Sequence, residues 1–205
     1  MKYIDLSHQL TNTTPVYPGD PPVEILTNNN VTHDGFCSHT VTMGTHVGTH
    51  IDAPAHMIEN GKDISDYPVS HFIGNAVVVN VKGKSRISAR DLEGVNLSPG
   101  DIVILYTGRN LLFQTEEYFT GYPEIAADFA EKLVEAQIKI LGMDQASPDH
   151  APFTTHKILL SHDILIIENL TNVEQLLQSG KITVYALPLS NALDAAQVRV
   201  VAQIE

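Results

Sequence analysis

Seven short β-branched or alternating segments run from one end of the chain to the other: Tyr3–Leu10, Ala76–Val81, Ile102–Tyr106, Ile138–Gly142, Ile164–Ile167, Ile182–Leu187 and Val198–Ile204. Runs of this length and pattern read as strands. Between them, only Glu124–Gln137 carries a sustained helical period, with Ala126, Phe129, Ala130 and Leu133 on one stripe and Pro123 and Glu124 suited to a first turn. Shorter helices are expected at Ser88–Leu92, Thr154–Leu160 and Val173–Leu177, each preceded or opened by Ser, Thr or Asn. The layout is mixed α/β. No repeat, low-complexity tract or linker divides the 205 residues, so a single domain over 1–205 is expected.

Composition excludes several function classes. With 12 Lys+Arg against 24 Asp+Glu the net charge is -12 and no basic patch breaks it, a field that repels phosphate backbones and anionic lipid; no nucleic-acid or membrane partner is expected. The longest apolar runs, such as Ala76–Val79 and Ile164–Ile167, fall far short of the ~20 residues that span a bilayer. The first ten residues lack the basic and apolar regions of a secretory signal, so a cytoplasmic location is expected. Cys37 is the only cysteine, so there is no intramolecular disulfide and any metal must be held by His and carboxylates.

The chemistry concentrates in His46-Val47-Gly48-Thr49-His50-Ile51-Asp52-Ala53-Pro54-Ala55-His56. In extended backbone side chains alternate, which puts His46, His50, Asp52 and His56 on one face. A straight strand would hold His46 and His50 about 13 Å apart, too far to share an ion bound at ~2.0 to 2.1 Å from nitrogen. The chain must therefore bend between them, and Gly48 is the residue that allows it, while Pro54 stops a helix. Two imidazoles and a carboxylate suit zinc or manganese and leave a position open for water. His56 is then placed to exchange a proton with that water and with a leaving group, and need not be a ligand.

Other candidates are weaker on spacing alone. His156, His162 and Glu168 flank the Thr154–Leu160 helix and the Ile164–Ile167 strand, but Glu168 with Asn169 reads equally well as a cap for the next short helix. Asp144 and Asp149 lie in a Ser- and Pro-containing stretch that reads as a turn. Pro15, Pro18, Gly19, Pro21 and Pro22 make an irregular loop whose Tyr17 and Asp20 either shape a substrate pocket or cover a core edge. Cys37 and His39 lack a third group to make a thiol catalyst.

The histidine-rich segment resembles the HxGTHxDxPxH signature of the cyclase family of metal-dependent hydrolases, which includes bacterial kynurenine formamidases and isatin hydrolases. The similarity continues through Asp5-Leu6-Ser7-His8, Pro15–Pro21, Gly142-Met143-Asp144 and Ile166–Leu170. The resemblance implies a swivelling β/β/α fold, an oligomer that is at least a dimer, and hydrolysis of a small aromatic amide. It implies that His46, His50 and Asp52 hold a first ion and that His56 is the catalytic acid/base. It also implies that Asp52 reaches a second ion held by His156 and Glu168, with zinc or manganese, one or two ions per chain; His162 has no counterpart. Where family formamidases carry Trp in the Pro-rich loop, this chain has Tyr17, which the resemblance makes a substrate contact. The activity implied is an arylformamidase acting on N-formylkynurenine or a related aryl formamide. The alternatives are an isatin-hydrolase-like cyclic amide hydrolase and a non-catalytic metal- or small-molecule-binding protein, against which the unligated base His56 argues.

Overall fold

The computed structural model describes all residues, 1–205. Its strands are β1 (Lys2–Asp5), β2 (Glu24–Asn29), β3 (Ser38–Thr42), β4 (His50–Asp52), β5 (Ile73–Asn80), β6 (Arg86–Ile87), β7 (Ile102–Tyr106), β8 (Glu124–Ile125), β9 (Ile140–Met143), β10 (Leu165–Glu168), β11 (Ile182–Pro188) and β12 (Ala195–Ile204). The α-helices are α1 (Val31–Asp34), α2 (Ala127–Glu135) and α3 (Thr154–Ser161). All seven expected strands form, Ile102–Tyr106 over the expected residues and the other six with shifted ends.

Eight strands make one mixed sheet in the order β1-β12-β11-β5-β7-β9-β10-β4, and β4 also pairs with β12. That second pairing closes the sheet into a barrel-like core. The parallel run β5-β7-β9-β10 is built from apolar stretches such as Ile102–Tyr106, buried throughout, as strands covered on both faces require. β4, β11 and β12 join antiparallel.

Period-2 alternation divides the apolar residues between two cores. Ile102, Ile104, Ile140, Leu165, Ile167, Val184, Val200 and Ile51 point into the barrel. Val103, Leu105, Leu141, Met143 and Ile166 point outward and pack with Phe129, Ala130 and Leu133 of α2 and Leu159 and Leu160 of α3. Each fully buried side chain of this size contributes roughly 1.5–3 kcal/mol, so both faces are strongly specified. This α/β architecture agrees with the expected fold class.

The structure differs from expectation at three places. The 124–137 helix is shorter, because Glu124 and Ile125 pair in parallel with Arg86 and Ile87 before α2 begins. The expected helices after Ser88 and Asn172 are single 3-10 turns, Ala89–Leu92 and Val173–Leu176. The β2–β3 hairpin, absent from the sequence reading, stands apart from the main sheet with exposed Leu26 and Val41. No helix is long and apolar enough to cross a membrane.

Candidate active site

β4 is the shortest strand of the main sheet, and its register builds the site. His50 lies opposite Glu168 of β10 and Asp52 opposite Ile166. Facing residues of an antiparallel pair share a face, so His50, Asp52 and Glu168 meet on the outer, helix-covered face while Ile51 enters the barrel. The bend expected at Gly48 is present: its φ is +64°, a left-handed conformation favourable for glycine. It brings the His46 and His50 rings to 5.2 Å between centroids. Thr49 fixes the bend by donating to the Asn169 carbonyl (2.7 Å) and accepting from the His8 amide (2.9 Å).

The donor atoms of His46, Asp52 and His56 lie within 4.8 Å of one another, and so do those of His50, Asp52 and Glu168. Asp52 is common to both groups. His156, on the first turn of α3, brings its Nε2 to 3.5 Å from Glu168 Oε1. Thus the structure gathers His46, His50, Asp52, His56, His156 and Glu168 in one place, with Glu168 facing His50 and His156 instead of capping a helix. His162 sits exposed at the end of α3. Cys37 and His39 lie on the hairpin, 4.0 Å apart and exposed.

Three imidazoles are each held by one nitrogen. His50 Nδ1 donates to the Gly48 carbonyl (2.8 Å), His156 Nδ1 to Asp149 Oδ1 (2.5 Å), and His46 Nε2 to Asp194 Oδ2 (2.9 Å). An acceptor on one ring nitrogen leaves the lone pair on the other, and here that second nitrogen faces a carboxylate: His46 Nδ1 is 2.9 Å from Asp52 Oδ1, and His50 Nε2 is 3.4 Å from both Asp52 Oδ1 and Glu168 Oε2. His46 Nδ1 is close to Asp52 without the alignment of a hydrogen bond. His50 Nε2 and both Asp52 oxygens are buried with no hydrogen-bond partner. Lone pairs facing carboxylates repel unless a proton or a cation lies between them, so the donor set fits a divalent ion with oxygen and nitrogen ligands.

The electrostatics agree. Burial opposes charge on His46, yet Asp52 and then Asp194 outweigh it and push its pKa up to about 10. Burial likewise opposes charging of His156, but Asp149 and Glu168 raise it to about 9. Asp52 is held well below the carboxylate range by His50 and His46 despite its burial. His56 behaves in the opposite way, because burial lowers its pKa in spite of Asp52. A lowered pKa favours the neutral ring, the form that can accept a proton.

His56 stands on a 3-10 turn, Pro54–His56, started by Pro54 and anchored by Met57 and Ile58 against the helix-side core. Its Nδ1 is 3.5 Å from Asp194 Oδ2, and its side chain is 24% exposed where His50 and Asp52 are 1%. It lines a cavity of about 350 Å³ together with His46, Asp52, His156 and Glu168 and the aromatic rings of Tyr17, Phe119 and Phe153. Tyr17 meets Phe119 edge-on with centroids 5.9 Å apart. The Arg109 guanidinium, donating to the carbonyls of Glu117 and Thr120, pins the turn that carries Phe119.

Sequence reasoning missed Asp194, Phe119 and Phe153 and read Asp149 as a turn residue. Asp149 is buried, and besides holding His156 it accepts from the Thr155 amide (2.6 Å). Its position seven residues before a candidate ligand histidine was the available signal. Asp194 has none, since its partner His46 is 148 residues away. Asp144 keeps a structural role, accepting from the Thr107 amide and hydroxyl and the Gly108 amide.

A family model described as putative cyclase matches residues 4–150. The chain belongs to the cyclase family. Among its cyclase relatives, a kynurenine formamidase of Bacillus cereus is 31% identical over 98% of this chain and 96% of its own. An uncharacterized protein of Methanocaldococcus jannaschii is 35% identical over 98% and 99%. Among solved structures, a potential metal-dependent hydrolase with cyclase activity superposes with a TM-score of 0.83 at 27% identity, over 98% of this chain and 96% of that one. The fold is also that of isatin hydrolase A from Labrenzia aggregata (TM-score 0.86, 21% identity, 98% and 93% covered).

Proposed function

We propose that this cyclase-family enzyme, a metal-dependent hydrolase of C–N amide bonds, is an arylformamidase acting on N-formylkynurenine or a related aryl formamide. The observation that carries the reading is the partly exposed His56 lining one cavity with Tyr17, Phe119 and Phe153, beside buried donors that have no hydrogen-bond partner. His46, His50 and Asp52 would hold a first ion, and Asp52, His156 and Glu168 a second. Zinc and manganese both suit this nitrogen and oxygen set. Such an ion supplies Lewis acidity, making water ionise near neutral pH and drawing charge from a carbonyl oxygen.

The chain's own residues move the proton. His56 takes it from the attacking water as the carbon–oxygen bond forms, then returns it to the aryl nitrogen as the carbon–nitrogen bond breaks, giving formate and an arylamine. Asp194, near His56 Nδ1, supports the charged form between the two steps. Tyr17 forms part of the wall that receives the ring. Two further properties belong to this reading: action in the cytoplasm, and assembly of at least two copies, supported by exposed Leu26, Val31, Phe36 and Val41 around the β2–β3 hairpin.

The test is hydrolysis of N-formylkynurenine by protein reconstituted with zinc or manganese against metal-free protein. A metal-dependent kcat/KM of ~10⁴ M⁻¹s⁻¹ or more is expected. Turnover of isatin and none of the formamide would replace the reading with a cyclic amide hydrolase. Metal binding with neither activity would leave a binding protein.

A further inference from the structure

Six residues other than glycine have positive φ: Asn60, Gln137, Phe153, Asp163, Asn169 and Asn172. Four are Asn or Asp, whose short side chains tolerate left-handed backbone, and Gln137 follows the end of α2. Phe153 is the one aromatic residue of the six, at φ +61° and ψ +47° where the chain enters α3. Glycine would make this turn without strain. An aromatic residue kept at such a position needs a reason, and the apolar core does not provide one, because Phe153 belongs to none of the three apolar clusters. Its ring is half-buried, lines the cavity, and stands edge-on to His156 with centroids 5.8 Å apart and planes at 85°. Tyr17 and Phe119 line the same cavity from two other loops.

From this we infer that Phe153 is a specificity-determining residue that, with Tyr17 and Phe119, clamps the aromatic ring of the substrate. This deepens the reading of the site as an aryl amide hydrolase and rests on it. The strained backbone aims the ring at the cavity in advance, so the contact is made without ordering a loop on binding. Because the ring touches the substrate away from the reacting carbonyl, its contribution is to binding in ground and transition states alike and shows in KM more than in kcat.

The experiment compares wild type, Phe153→Gly and Phe153→Tyr in two measurements. The first is steady-state hydrolysis of N-formylkynurenine by the zinc-loaded proteins. The second is calorimetric binding of 2-aminoacetophenone, an arylamine product analogue that needs no turnover. Phe153→Gly is expected to raise KM and weaken binding about tenfold, the worth of an aromatic contact of about 1.4 kcal/mol, with kcat changed less than threefold. Phe153→Tyr restores both. The urea midpoint of Phe153→Gly is expected to equal or exceed that of the wild type, since glycine removes the left-handed strain. Unchanged KM and binding in Phe153→Gly overturn the inference, as does a lowered urea midpoint with unchanged affinity for the amine. Binding that depends on Phe153 in a protein that hydrolyses no formamide upholds the clamp and sinks the formamidase reading. Hydrolysis that ignores Phe153 does the reverse, and a wild type that neither binds nor hydrolyses sinks both.

Discussion

Gly61 is outside the cavity, yet it packs against the backbone of Pro54 and Ala55, the two residues before His56. A Cβ built on Gly61 would lie 2.5 Å from the Pro54 carbonyl carbon and 2.7 Å from both the Pro54 oxygen and the Ala55 nitrogen. These are backbone atoms, so no side chain can swing aside. Restoring even a tight contact of 3.4 Å moves Pro54 and Ala55 by about 0.9 Å, and the Ala55 amide is also tied across the loop to the Lys62 carbonyl at 3.0 Å. His56 is the next residue. A displacement of about 1 Å in a reacting group costs on the order of 10²-fold in rate, and overpacking of this kind costs roughly 1–3 kcal/mol of stability. Gly61→Ala should therefore fold, retain its metal through His50, Asp52, His156 and Glu168, and lose about a hundredfold in kcat on N-formylkynurenine. Steady-state kinetics, metal content after gel filtration and urea unfolding would be measured on the same preparation. Turnover within twofold of wild type would refute the idea that this close approach sets His56. Metal loss in proportion to the rate would place the damage in the ligand set instead.

Four further outcomes are expected. His56→Ala keeps most of its metal and loses most of its turnover by the same assays; normal turnover would remove His56 from the acid/base role, and lost metal would make it a ligand. His50→Ala, which deletes a buried donor, loses the first ion, and full metal stoichiometry by elemental analysis would contradict its role. Asp149→Asn withdraws the carboxylate from His156 Nδ1 and lowers affinity for the second ion by about 10- to 100-fold, read as a chelator midpoint; equal affinity in mutant and wild type would show that the contact is only structural. Metal-free protein should lose stability as pH rises: His46 and His156 have folded pKa values of about 10 and about 9 against an ordinary 6.5. Their contribution is complete below about 6.5 and disappears through pH 9–10. Urea midpoints in chelator at pH 6 and 9.5 would check this, and a midpoint that rises between them from this site would be wrong in sign.

The legible parts of this molecule are those where one local rule has no competitor. His46 and His50 cannot share an ion on a straight strand, so the bend at Gly48 follows from distance alone. Ile102–Tyr106 forms over the expected residues because it is apolar throughout and buried on both faces. The β2–β3 hairpin was not legible because it buries almost nothing, leaving no contrast between faces for a pattern to record. Glu124 and Ile125 look like a helical first turn, yet two residues of pairing with β6 override that local preference. Asp194 and Asp149 act on histidines that only the closed sheet and the start of α3 bring near them. A carboxylate's partner is a tertiary fact, whereas a histidine spacing is a local one.

The two faces of β4 explain how so short a strand can carry this chemistry. His50 Nε2 and the two Asp52 oxygens are buried without partners, each costing roughly 1–3 kcal/mol. Ile51 and Ala53, fully buried in the barrel on the opposite face, offset only part of that. β4 is also paired on both sides, with β10 and with β12, which makes it the strand that closes the barrel. A strand at the edge of an open sheet could not hold three unpaired polar atoms out of water. Barrel closure and the donor cluster are thus one feature of the fold: the ladder on both sides of residues 50–52 keeps the donors in place, and a cation among them would supply the partners they lack.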